Sequence, residues 1–285
     1  MSPGLADIAE PTAADLAACI GCGSPPGERG LCAGCGRVYE TRDGILDAIG
    51  ELAGRNRVAA DFYDGPGWVR FRKWEKLFLA FQGGARRSRM QILRHLSGLG
   101  DAPARVLEVG IGDGENLRFL PGSWAVYGVD IARTQLVACR GRYPAMDGRL
   151  AWAEAEHLPF PDGTFDACYS VGGFNYFGDH AAAVREMRRV TREGGPVVVA
   201  DEVPGLQRAG IGHLIGRPSI DKAWLRGLGL DAAFVDMVVD LEVDPPALAA
   251  EVLPDAARVP IWNRLGYCLI HPAPGRPSGA SGRHP

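Results

Sequence analysis

Residues 106–117 read VLEVGIGDGENL, an apolar run that carries one acid, Glu108, and then sets glycines at Gly110, Gly112 and Gly114. The segment ARVLEV (104–109) has the β-branched, apolar character of a buried strand. The glycines after it let the backbone turn sharply and let a ligand lie against the main chain. A dinucleotide fingerprint leaves two positions between its last two glycines, whereas Gly112 and Gly114 leave one, which weakens a nicotinamide reading. A carboxylate beside the glycines repels a pyrophosphate and suits an ammonium group. A helix expected over Glu115–Leu120 would offer free N–H groups to a carboxylate as readily as to a phosphate. A second acid, Asp130, ends the next strand, where folds of this kind read ribose hydroxyls. Together these features describe a ligand with a ribose, a carboxylate and a cationic amine, and without phosphates.

Working outward, further strands are expected at WAVYGVD (124–130), LAWAEA (150–155), FDACYSV (165–171) and GPVVVADE (195–202). Helical stretches lie between them near Thr134–Arg142 and His180–Val190, and a last strand is expected in IWNRLGYCLIHP. Apolar strands alternating with helices argue an α/β, doubly wound, mostly parallel sheet covered on both faces, with ligands at the carboxyl ends of the strands. Before it, residues 58–97 read as helical, with Phe62, Trp68, Phe71, Trp74, Phe78 and Phe81 as core or lid. Four regions result: a leader over residues 1–15, a cysteine-rich module over 16–50, the α/β domain over 56–271 and a disordered tail over 272–285.

The motif order VLEVGIGDG, GVD, AEAEHLPFPDGTFDACYS and EMRRVTREGGPVVVADE resembles the class I S-adenosylmethionine-dependent methyltransferases over roughly residues 60–270. The resemblance implies a Rossmann-like sheet of seven strands. It also implies that Glu108, Gly110, Gly112 and Gly114 line the methionine portion of the cofactor. Asp130 with Ile131 would hold the ribose, Glu154 and the backbone of Ala155 the adenine, and Ser170 and Val171 would pass under the sulfonium end. Apart from the resemblance, Tyr63 and Trp74 are expected to close over the cofactor from the N-terminal helices. Glu154 stands where the family commonly has Asp. His157 falls in a family loop that packs the adenine side.

Cys19, Cys22, Cys32 and Cys35 form two C-x2-C pairs in a stretch with little to bury, CIGCGSPPGERGLCAGC. Two such pairs suit a closed tetrahedral Zn2+ site that supplies folding free energy and no open catalytic position. With the following GRVYETRDGILDAIG, the stretch resembles short zinc ribbons that precede some bacterial methyltransferases, ribosomal RNA guanine methyltransferases among them. Cys139, Cys168 and Cys268 read as buried packing residues.

Composition narrows the acceptor. Of 285 residues, 46% are hydrophobic, and the formal net charge is -3, so no large basic field exists to meet a phosphate backbone. Nucleic acid is disfavoured, and Arg86, Arg87 and Arg89 read as a solvated helix face. No stretch has the length of a membrane span, and the chain reads as a cytoplasmic protein. A small-molecule acceptor is the favoured reading, with an RNA base as the alternative and a non-catalytic cofactor-binding protein as a third class. Acceptor contacts are expected from Asn175, Tyr176, Glu202 and Trp74, with Phe177 and Asp179 beside them. A base, needed only for a protonated acceptor, would come from His180, Asp201 or His213.

Overall fold

The computed structural model describes residues 10–27, 30–203, 211–227, 229–240 and 244–272. Most of the expected leader and tail therefore lies outside the described residues, as do the side chains of Trp74 and His213.

Five parallel strands form the centre of one sheet: β3 (Ala104–Val109), β4 (Trp124–Asp130), β5 (Leu150–Trp152), β6 (Ala167–Val171) and β7 (Val197–Glu202). Two short strands, β1 (Glu40–Arg42) and β2 (Ile45–Asp47), form a hairpin that adds β2 parallel to β5. At the other edge β9 (Gly266–His271) runs antiparallel to β7, and β8 (Ala257–Ile261) lies antiparallel to β9. The full order is β1-β2-β5-β4-β3-β6-β7-β9-β8. Among the described residues the sheet thus has nine strands rather than the seven expected. One unforeseen strand, β8, alternates in burial and carries Pro260, which a sheet tolerates at an edge where no neighbour needs its N–H.

Alternation along each strand divides the core. Leu107 and Val109 of β3 join Cys168, Val197 and Val199 on one face, covered by Ala183, Val184, Met187 and Val190 of α5 (His180–Val190). Val106 joins Ala167, Tyr169, Val198 and Ala200 on the other, covered by Ile92 and Leu93 of α3 (Ala85–Leu93). Cys139, Cys168 and Cys268 are fully buried, as packing residues should be.

Two helices ahead of the sheet, α1 (Gly54–Asp64) and α2 (Pro66–Phe81), arch toward the carboxyl ends of the strands. Phe62 of α1 stacks on Phe234 of α8 (Ala232–Val239), so an element far along the chain braces this cap. The remaining helices among the described residues are α4 (Arg133–Arg142), α6 (Ile211–Leu214), α7 (Pro218–Gly227) and α9 (Pro245–Val252). The helix expected over Glu115–Leu120 is absent; a single 3-10 turn, Leu117–Phe119, stands there. Pro121 is the reason, because the residue before a proline is pushed out of helical conformation, and Leu120 is extended at φ -90 and ψ 153.

Candidate active site

The carboxyl ends of β3, β4, β5 and β6 open into a cleft roofed by α1 and α2. The loop after β3 is its floor. Gly110 and Ile111 both donate N–H bonds to Val129 O, at 2.8 and 3.1 Å, which ties the loop to β4. Gly112, at φ 55, donates its N–H to Asp130 Oδ2 at 2.7 Å and has open space where a Cβ would stand. Gly114, at φ 79, lies against Cys139, whose Sγ would be 2.8 Å from an added Cβ. The glycines therefore serve two ends: Gly110 and Gly112 border the cleft, while Gly114 permits close packing on α4.

Asp130 lines the cleft, and its other oxygen accepts the Ala132 N–H at 2.9 Å. Burial pushes its carboxyl up to about 6 against the pull of those two N–H bonds. Glu108 is fully buried, and its carboxylate lies on the Val106 face of β3 rather than among the cleft-lining groups. Asn116 Nδ2 donates to one Glu108 oxygen at 2.5 Å, and the Tyr169 hydroxyl donates to the other at 2.7 Å. Burial raises the Glu108 carboxyl to about 7, opposed by these two bonds and by the charge of Arg89. Asn116 itself lines the cleft, and its Oδ1 has no hydrogen-bond partner, nor has the buried Ser170 Oγ near Gly110.

On the β5 side Ala153, Ala155 and Glu156 line the cleft. Asn56 of α1 donates to Glu154 Oε1 at 2.8 Å and to Glu156 Oε2 at 3.1 Å, and accepts the Gly178 N–H at 2.8 Å. Glu154 is thereby turned to Asn56, and the acid that faces the cleft is Glu156, whose Oε1 also accepts the Asp179 N–H at 2.9 Å. Ile131 borders the same side, where its carbonyl accepts the Trp152 indole N–H.

The β6 end is aromatic. Tyr63 and Trp68 from the cap and Tyr176 and Phe177 from the loop after β6 line it, with Tyr63 ring centroids 4.9 Å from Trp68 and 6.1 Å from Tyr176. Arg55 fastens the cap to this loop through the carbonyls of Asn175 and Phe177.

Several expected acceptor residues lie behind the loop instead of in the cleft. Asn175 donates its N–H to Asp201 Oδ2 at 2.7 Å and its amide to Glu202 O at 3.0 Å, and accepts the Tyr267 hydroxyl. Asp201, fully buried, is pushed up to about 6 by that burial despite the N–H bonds from Asn175 and Glu202. His180 packs edge-on against Phe174, and burial lowers its basicity. None of Asn175, Glu202, His180 and Asp201 lines the cleft. Conversely, Arg89, expected on a solvated face, is 6% exposed and borders the cleft, because α3 packs its inner side on the sheet. Asn56, Arg72, Arg89, Asn116, Gln135 and Glu156 were not foreseen there. Asn116, two residues after the last glycine, and Glu156, next to Ala155, lay within the stretches already singled out.

Comparison with known proteins bears on this cleft. Residues 107–199, which carry its floor and both walls, match the family model of a methyltransferase domain. A malonyl-[acyl-carrier protein] O-methyltransferase of Halorhodospira halophila is 30% identical over 207 residues, 68% of each chain. The chain belongs to the S-adenosylmethionine-dependent methyltransferases. A demethylmenaquinone methyltransferase of Thermus thermophilus is 38% identical to this methyltransferase over 109 residues, 36% of this chain and 49% of that one. The chain spans between 38% and 65% of the length of the first curated relatives it matches. A solved S-adenosylmethionine-dependent methyltransferase of Thermotoga maritima, described as a possible histamine N-methyltransferase, shares 14% identity at TM-score 0.48 over 74% of this chain and 98% of that one.

The four cysteines of the methyltransferase converge as their spacing implied: all four sulfurs lie within 4.8 Å of one another. Zn–S bonds of about 2.3 Å in a tetrahedron would separate sulfurs by about 3.8 Å, so the cluster has the dimensions of such a site. Burial opposes ionisation of Cys19, yet hydrogen bonds from the Tyr39 hydroxyl, the Gly21 N–H and the neighbouring Cys35 lower its thiol, while the same contact raises Cys35.

Proposed function

We propose that this methyltransferase transfers the methyl group of S-adenosylmethionine to a small-molecule acceptor and carries a structural zinc ribbon. The observation that supports the acceptor class is the aromatic end of the cleft, where Tyr63, Trp68, Tyr176 and Phe177 converge under a cap. An aromatic pocket end offers a small organic acceptor stacking and apolar contact, with polar groups nearby to fix its orientation. The named activities of the relatives, on demethylmenaquinone and on malonyl-acyl carrier protein, agree with a non-nucleic-acid acceptor.

In this reading Asp130 with Ile131 holds the ribose, and its remaining lone pairs serve the hydroxyls. Ala155 and the Glu154–Asn56–Glu156 cluster border the adenine. Gly110, Gly112 and Ser170 border the methionine portion, and Glu108 acts on its ammonium group through Asn116. When bound, the cofactor supplies an already activated methyl group, so the chain's task is to orient the acceptor and exclude water. Four thiolates of Cys19, Cys22, Cys32 and Cys35 would close the zinc shell, leaving no position for catalysis. No helix among the described residues is long and apolar enough to cross a membrane.

The cysteine cluster also favours a second reading, an RNA base as acceptor. Isotope-labelled S-adenosylmethionine supplied with a panel of quinols, phenols and carboxylic acids, and separately with ribosomal RNA, distinguishes the two. Label in an organic-extractable product supports the small-molecule reading, and label confined to RNA overturns it.

A further inference from the structure

The cysteine module is stitched to one wall of the cleft. β2 pairs with β5 from Ile45–Leu150 to Asp47–Trp152, and Ala48 N–H extends the ladder to Trp152 O at 3.0 Å. Ala13 N–H reaches Gly148 O at 2.6 Å, and Gly148 N–H reaches Gly44 O at 2.9 Å. Ala18, immediately before the first cysteine, donates its N–H to Pro159 O at 2.9 Å. Cys19, Cys32 and Tyr39 share one apolar cluster with Ala153, Ala155, Leu158 and Phe160. Tyr39 links this contact to the sulfurs, since its hydroxyl donates to Cys19 Sγ at 3.2 Å and accepts the Ile20 N–H at 2.8 Å.

Residues 153–160 have little regular structure of their own, since β5 ends at Trp152 and β6 begins at Ala167. They are held by Asn56 on the cleft side, by the cysteine module on the outside, and at their far end by α5, whose Glu186 accepts the Leu158 N–H and whose Arg189 donates to the carbonyls of Leu158 and Phe160.

We infer that the metal-bound cysteine cluster positions the 153–160 wall, so that cofactor affinity depends on metal occupancy although no cysteine lines the cleft. The inference rests on the zinc and cofactor assignments proposed above. Without the metal, the Ala18–Pro159 and Tyr39–Cys19 contacts lose their anchor, and the wall populates positions that do not bind adenine. Affinity then falls in proportion to the competent fraction; a fraction of about one tenth weakens binding about tenfold.

The test is calorimetric titration of S-adenosylhomocysteine, and separately of adenosine, into the full chain before and after chelation, with metal content and circular dichroism measured on the same samples. The expected result is loss of zinc, a retained sheet signal and weakening of both ligands by a similar factor of about ten or more. Hydrogen exchange should quicken over residues 148–161. If chelation unfolds the chain, Ala18→Pro decides: it removes the N–H donor to Pro159 and keeps all four cysteines, and should keep zinc while weakening S-adenosylhomocysteine. Unchanged affinity in the folded zinc-free chain, or in zinc-loaded Ala18→Pro, overturns the inference. Protein that purifies without metal, or zinc-loaded protein that fails to bind S-adenosylhomocysteine, overturns instead the assignments on which it rests.

Discussion

Glu108 shows how a strand's parity decides what an acid can do. Alternate residues of β3 face opposite sides of the sheet, so Glu108 shares a side with Val106 and Tyr169, where water cannot reach it. The identity of the acid was legible beside its glycines; its partners, Asn116 and Tyr169, were not, since they come from a loop and a strand brought together only by the fold. Its carboxyl rises from 4.5 to about 7, so the folded protein binds a proton the unfolded chain releases. A carboxyl raised by folding stabilises as pH falls: the burden of burying its charge is present above about 7 and is relieved by about 4.5. Wild type should therefore gain stability relative to Glu108→Gln as pH drops from 8 to 5, by an amount on the order of 3 kcal/mol. Thermal unfolding of both proteins across that range checks it, and parallel curves would show that Glu108 stays ionised. Asp130, raised to about 6, gives both proteins a smaller dependence of the same sign, which cancels in their difference.

Among the elements, long apolar strands and amphipathic helices were legible, because periodicity reports one buried face. β3, β4 and α5 occupy their expected residues. The failures have local causes: Pro121 cuts the helix after the glycine loop to one turn, and β8, exposed at alternate positions, has too few buried residues to announce itself. The start of α5 is fixed by Asp179, whose side chain accepts the Ala182 N–H at 2.9 Å. Asp179→Ala should lower stability by about 1 kcal/mol in chemical denaturation. Gly114→Ala combines a left-handed φ of 79 with an overlap against Cys139 Sγ at 2.8 Å, so it should cost about 2 kcal/mol or more. Adding Cys139→Ala should return only a share of the overlap part, because Leu117 Cδ1 stands at 2.8 Å and Tyr143 Cδ2 at 3.1 Å from the same added Cβ, and should leave the backbone part.

At the scale of the whole molecule, the C-x2-C spacing made a four-cysteine cluster legible, and the structure brings its four sulfurs together. Its attachment was not legible. The hairpin after the cysteines has only three residues per strand, too short to signal that β2 would pair with β5 and lengthen the sheet. Metal analysis of the purified chain should find about one zinc. At the proposed acceptor end GGFNYF supplies Tyr176 and Phe177 to the cleft, while Asn175 accepts the Tyr267 hydroxyl behind it, a difference set by the turn after β6 that the sequence pattern does not show. All of this bears on one claim, that the cleft at the strand ends binds the methyl donor through Asp130. The most direct measurement is calorimetric titration of S-adenosylhomocysteine into zinc-loaded wild type and Asp130→Ala. Wild type should bind about one ligand per chain, and the variant should bind at least about tenfold more weakly, the loss of one charged hydrogen-bonding group. Equal affinity in the two proteins, or no binding by wild type, would contradict it.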